Sequence, residues 1–201
     1  MRPPASFGVD ITNMPQQLPV MMAGRAIIRV VGRCNEAQEN CNLDLSECQL
    51  VQVPDAVYHL MRHTALTTCN LSGNVITKLP PKFAVKFSLI TELNVSHNQM
   101  SKLPDELCDL AELHSLDISH NAFITLPRVA FKMPKLANLT ANHNRIIEVE
   151  VERLREAPSL VEVDLTDNPV LPEVRDALKA VEAPRVLLSE RQKEDWEDLT
   201  V

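Results

Sequence analysis

The sequence predicts an α/β solenoid, with a curved parallel sheet lining its concave side and a helical cap over its N-terminal end. Three observations predict it. One block recurs six times, beginning at residues 40, 66, 90, 113, 136 and 160. Within each copy apolar and polar residues alternate briefly, the pattern of a strand with one buried face. The chain is also 45% hydrophobic yet only 3% aromatic, as a narrow coil filled by aliphatic side chains requires. Repetition at this period marks stacked units, none of which buries its apolar face alone.

The elements follow in chain order. Residues 1–21 contain Pro3, Pro4, Pro15 and Pro19, few core formers and no periodicity, and are expected to be disordered. They hold no apolar run of the kind a secretory signal needs. Ala23, Ala26, Ile27, Val30, Val31, Cys34 and Ala37 then recur at three- and four-residue spacing. That predicts an amphipathic cap helix over residues 22–39, with Arg25, Arg29 and Arg33 on its solvated side. One repeat domain is expected over 22–189, its six repeats filling about 40–172 and a C-terminal cap filling 173–189. Residues 190–201 form an acidic tail.

The repeats align without gaps over their leading halves. ITELNVSHNQMSKLP from Ile90 matches LHSLDISHNAFITLP from Leu113 and LANLTANHNRIIEVE from Leu136. LTTCNLSGNVITKLP from Leu66, LVEVDLTDNPVLPEV from Leu160 and the weaker NCNLDLSECQLVQVP from Asn40 complete the set. Counted from each first residue, positions 4 and 6 are the inward slots. They hold Leu43 and Leu45, Cys69 and Leu71, Leu93 and Val95, Leu116 and Ile118, Leu139 and Ala141, and Val163 and Leu165. Leu50, Ile76, Met100, Phe123, Ile146 and Val170 supply a further apolar slot in each coil. Position 9 reads Cys48, Asn74, Asn98, Asn121, Asn144 and Asn168. An amide there donates and accepts at once, so this column is expected to be a structural ladder joining each coil to the next.

The pattern resembles the leucine-rich repeat, L-x-x-L-x-L-x-x-N/C-x-L. The V/L-P continuations at Val53-Pro54, Leu79-Pro80, Leu103-Pro104 and Leu126-Pro127 are similar to the L-P-x-x-L form of the intracellular, Ras-group type of that family. The resemblance implies a solenoid in an intracellular setting, with the cytoplasm expected and the nucleus as an alternative. It implies no catalytic residues and no defined ligand.

Positions 3 and 5 of each strand then face the concave surface. They hold Asn42 and Asp44, Thr68 and Asn70, Glu92 and Asn94, Ser115 and Asp117, Asn138 and Thr140, and Glu162 and Asp164. All are polar, and Lys and Arg are absent from both rows. A rigid polar sheet face is a ready recognition surface. Its carboxylates favour a basic protein partner bound by an adaptor that is itself a monomer. A net charge of −7 argues against nucleic acid, whose phosphates demand clustered positive charge. No apolar run reaches the length of a bilayer span.

Two other classes fit the same fold. One is a regulatory subunit of a phosphatase or small-GTPase signalling complex, an analogy of repeat type alone. The other is a metal- or pH-sensing column of His97, His120 and His143, which share position 8 in adjacent units. An enzyme is not expected. Cys41 and His114 share a position but lie three units apart, and Ser119-His120 lacks an orienting carboxylate and an oxyanion hole. No phosphate-cradling glycine loop or H-E-x-x-H zinc motif occurs, and no cofactor is expected. The odd set Cys34, Cys41, Cys48, Cys69 and Cys108 reads as free thiols of a reducing compartment. The sequons at Asn70, Asn94 and Asn138 read as by-products of the repeat. In the tail, Trp196 is expected to dock or remain disordered, and Leu199-Thr200-Val201 is a weak candidate for strand addition.

Overall fold

An apolar residue between two polar ones makes a strand with one buried face, and the chain repeats that triplet. The computed structural model of the protein describes residues 17–190, with side chains from Ala26 onward. It contains β1 (Asn42–Asp44), β2 (Thr68–Asn70), β3 (Glu92–Asn94), β4 (Ser115–Asp117), β5 (Asn138–Thr140) and β6 (Glu162–Asp164). A seventh strand, β7 (Arg185–Leu187), follows them. All seven form one sheet in sequence order, every neighbouring pair parallel. Register is fixed by the repeat: Leu43 faces Cys69, then Leu93, Leu116, Leu139, Val163 and Val186 in turn. A slip of one residue would turn each central apolar side chain to solvent, so the alternation itself enforces this register.

The inward slots make one continuous core. Both strand slots of every unit are buried, as are Leu50, Ile76, Met100, Phe123, Ile146 and Val170. Burial of each Leu or Ile contributes about 1.5–3 kcal/mol relative to exposure. The return path of each coil is short and irregular: α2 (Asp55–Leu60), α3 (Lys82–Lys86), 3-10 turns at Asp105–Asp109 and Ala130–Lys132, and α4 (Val151–Arg155). The few rings collect mostly on this convex side. Tyr58 stacks on Phe87 with centroids 5.4 Å apart, and Phe83 meets Phe87 edge-on at 5.1 Å.

The caps differ from expectation in extent and contact. Helix α1 runs Gln17–Asn40, five residues earlier than the expected 22, so residues 17–21 belong to it and not to a disordered segment. Val30, Cys34 and Ala37 are buried against the first unit, whereas Ile27 and Val31 are exposed. Two of the three arginines are not merely solvated: Arg29 donates to the Glu47 carbonyl, and Arg33 to the carbonyls of Ser46 and Asp44, while the Arg25 side chain lies outside the described residues. These are the turn carbonyls that a preceding unit would otherwise cover. At the other end, α5 (Pro172–Lys179) begins with proline at its first turn, where no N–H partner is needed. It packs Leu178 into the core, and β7 follows. The expectations for residues 1–16, Trp196 and the terminal Leu199-Thr200-Val201 lie outside the described residues. No helix among the described residues is long and apolar enough to cross a membrane.

Candidate interaction surface

The concave face is built strand by strand, and its two polar rows differ in what their side chains do. At position 5 the side-chain oxygen bends back to its own turn. Asp44, Asn70, Asn94, Asp117 and Asp164 accept from the N–H two residues on, at Ser46, Ser72, Ser96, Ser119 and Thr166, over 2.8–3.0 Å. These are Asx turns, which close the chain as it leaves the strand. Thr140 is the exception in unit five and makes no such bond. Five of the six position-5 residues are therefore tied into the fold, although each keeps a second polar atom towards solvent.

Position 3 divides further. Asn42 accepts from the hydroxyls of Thr67 and Thr68. Glu162 pairs with Arg185 at 3.2 Å, because the register sets β7 directly beside it. Among the described residues, Glu92, Ser115 and Asn138 make no side-chain hydrogen bond or ion pair. They sit side by side on β3, β4 and β5, the middle of the sheet.

The electrostatics change accordingly. Five carboxylates and no Lys or Arg were expected across the two rows. The structure brings a guanidinium to each end: Arg33 lies 3.5 Å from Asp44, and Arg185 faces Glu162. Burial works to raise the Asp44 carboxyl, but hydrogen bonds from Ser46 and the Arg33 charge outweigh it and hold it below the usual range. Glu92 is the concave carboxylate left without an ion pair or turn to close. The polar, acidic face read from the sequence thus gains an arginine at each end, paired with Asp44 and Glu162. The sequence signal for Arg185 was available, since it precedes the expected extended segment 186–188 by one residue.

Behind this face runs the amide column. Asn98 donates to the carbonyls of Leu71, Val95 and Ser96, and accepts from the Ile76 N–H at 2.9 Å. Asn74, Asn121, Asn144 and Asn168 repeat the arrangement. The bonds reach the unit's own turn and the preceding unit, not the following one. Cys48 stands in the first unit, with no preceding repeat to bond, so a thiol suffices there.

Position 8 is left-handed in every unit. Glu47, Gly73, His97, His120, His143 and Asp167 have φ of +52°, +66°, +52°, +51°, +51° and +55°. Glycine takes this conformation freely, and Asp and His tolerate it better than most residues. A Cβ added at Gly73 would come within 3.0 Å of the Glu47 Cγ, so glycine also makes room for its neighbour. The three imidazoles stack face to face, centroids 3.9 and 4.2 Å apart and planes 12° and 15° from parallel. That corrects the metal reading: in-plane lone pairs of parallel rings run side by side and do not converge on one ion. No group of three ligating side chains among the described residues could hold a metal. Partial burial, then the flanking His97 and His143, hold the His120 pKa down against the pull of Asp117 and Asp167.

The thiols are all unbridged, with Cys34, Cys48 and Cys69 buried. Burial pushes the Cys69 thiol up to about 12.

Comparison with known proteins places this geometry. A profile described as leucine rich repeat matches residues 64–123. Mouse leucine-rich repeat-containing protein 20 is 44% identical over 156 residues, covering 76% of this chain and 85% of that protein. The human protein of the same name is 34% identical over 94 residues, 45% of this chain and 51% of its own length. Among solved structures, a leucine-rich repeat protein of Leptospira interrogans superimposes with a TM-score of 0.60 at 26% identity. The match covers 70% of this chain and 34% of that one. The chain belongs to the leucine-rich repeat family and resembles leucine-rich repeat-containing protein 20.

Proposed function

We propose that the chain is a non-catalytic protein-interaction module that engages a partner through the concave centre formed by Glu92, Ser115 and Asn138. Family membership points generally to protein–protein interaction. The observation that carries the finer reading is the division of labour on the sheet. Position 5 closes turns, the end residues of position 3 are internally satisfied, and the middle three side chains are left with their polar atoms unengaged. A rigid sheet holding unengaged polar atoms at fixed spacing pre-pays the ordering that binding otherwise costs. With Glu92 unengaged, and Asp117 and Asp164 charged and without an ion pair among the described residues, the face favours a partner donating hydrogen bonds from Lys, Arg or amide groups. Five free thiols support a reducing compartment, the cytoplasm.

The test is partner capture by proximity labelling in cells, comparing wild type with Glu92→Lys combined with Asn138→Lys. Neither residue contributes a side-chain bond to the fold, so the variant keeps its melting temperature. Loss of a specific set of labelled proteins is expected; an unchanged set rules out the concave centre. A fluorescent fusion confined to an exocytic compartment would rule out the cytoplasmic placement.

A further inference from the structure

A second surface lies on the flank of the solenoid, where each coil leaves the sheet towards the convex side. Three large apolar side chains occupy position 12 of the last three units: Ile124 is 56% exposed, Ile147 39% and Leu171 42%. They are neighbours, since the Ile147 N–H donates to the Ile124 carbonyl and the Leu171 N–H to the Ile147 carbonyl, both at 3.0 Å. A lone exposed isoleucine needs no explanation, but a contiguous row does. Position 12 of the second and third units holds Thr77 and Ser101, which separate the contiguous row from the exposed Val51 of the first unit.

Beside it, at position 10, stands Arg145 between Ala122 and Pro169 of the adjoining units. Arg145 is the one arginine among the described side chains that makes neither a hydrogen bond nor an ion pair within the chain. Position 8 adds the stacked edges of His97, His120 and His143. Among the described residues no carboxylate pairs with this cation: Asp117 accepts from the Ser119 N–H, and Asp167 sits 3.4 Å from His143.

We infer that this flank docks an acidic segment of a partner protein, with aliphatic side chains seated on Ile124, Ile147 and Leu171 and a carboxylate on Arg145. The apolar row supplies the buried area, and an unpaired guanidinium beside it selects an anion through a bidentate bond. The surface is separate from the concave centre, and the two stand or fall independently.

The experiment is fluorescence anisotropy with the full chain and a labelled peptide of alternating leucine and glutamate at neutral pH. Peptides of leucine with lysine, and of serine with glutamate, serve as controls. Binding of the leucine–glutamate peptide alone is expected. Ile147→Ser and Arg145→Glu are each expected to weaken it about tenfold or more. Both sites are exposed, so circular dichroism and melting temperature remain as in wild type. Equal binding of all three peptides, or undiminished binding by either flank variant, overturns the inference. Binding seen only after residues 191–201 are removed would make the chain's own tail the occupant and overturn the assignment to a partner.

Discussion

Replacing Asn98 by alanine tests the load carried by the amide column. The side chain is nine-tenths buried and makes four bonds to backbone groups of two units. Each such bond contributes a net of about 1 kcal/mol, and a buried group left unpaired costs about 1–3 kcal/mol. Four bonds therefore set the expected loss near 4 kcal/mol, a large share of the roughly 5–15 kcal/mol that holds a domain folded. Cys48→Ala removes a buried side chain from the same column but no side-chain bond to a preceding repeat, and should cost on the order of 1 kcal/mol. Asn98→Asp is a sharper probe. It keeps the acceptor for the Ile76 N–H but sets a carboxylate against three carbonyl oxygens. It should exceed the alanine loss at pH 7 and fall back towards it as the acid protonates. Urea unfolding followed by far-ultraviolet circular dichroism measures all three. An Asn98→Ala loss within about 1 kcal/mol of the Cys48→Ala loss would refute the reasoning.

Three further outcomes follow from named contacts. The Tyr58 hydroxyl is buried without a hydrogen-bond partner, so Tyr58→Phe should be neutral or stabilise by up to about 1 kcal/mol in the same unfolding assay; a clear loss would reveal a partner for that oxygen. In the native chain a thiol reagent should label Cys41 and Cys108 first, leaving Cys34, Cys48 and Cys69 until unfolding; early mass-mapped modification of Cys69 would contradict its burial. The folded His120 binds a proton less readily than its unfolded counterpart. Its contribution is therefore fully present above the unfolded pKa of about 6.5 and is lost as pH falls through the lower folded value. The melting temperature should drop between pH 7.5 and 5.5, and His120→Asn, which also tolerates the left-handed turn, should flatten that slope; an unchanged slope would remove the stack as its source.

Architecture was legible in the sequence because a solenoid writes its physics at a fixed period. A residue such as Leu93 needs an apolar partner only from the next coil, so its slot recurs with the repeat, and counting is enough to find Leu116 and Leu139. The ends were harder because each is unique. Helix α1 has no repeat to be compared with, and its alternation did not show that Ile27 and Val31 stay exposed while Arg29 and Arg33 satisfy turn carbonyls. The direction of the amide bonds was equally hidden. Residue type says that Asn98 can bond two coils, but only the placement of its amide shows that the second is the preceding one. That direction explains why the column can begin with Cys48 and yet ends on Asn168.

The site was less legible for a physical reason of its own. A polar side chain on a strand looks the same in sequence whether it reaches outward or bends back to its own turn. Asp117 and Glu92 read alike as concave carboxylates, yet one caps Ser119 and the other is unengaged. Position in the repeat decides it. At position 5 the chain leaves the strand and turns, bringing the N–H two residues on to the Asx side chain, whereas position 3 begins the strand and there the Asn138 amide is as unengaged as the Glu92 carboxylate. Every described Asx at position 5 is captured by its turn, and the two glutamates at position 3 are not. Acceptor oxygens counted along a repeat therefore overstate those offered to a partner. The same reasoning makes Arg145 informative. It belongs to no motif and fills no slot, and among the described arginines it alone is left without a contact that the fold requires. In a repeat protein, where nearly every position answers to the stack, residues the stack does not use mark where recognition is to be sought.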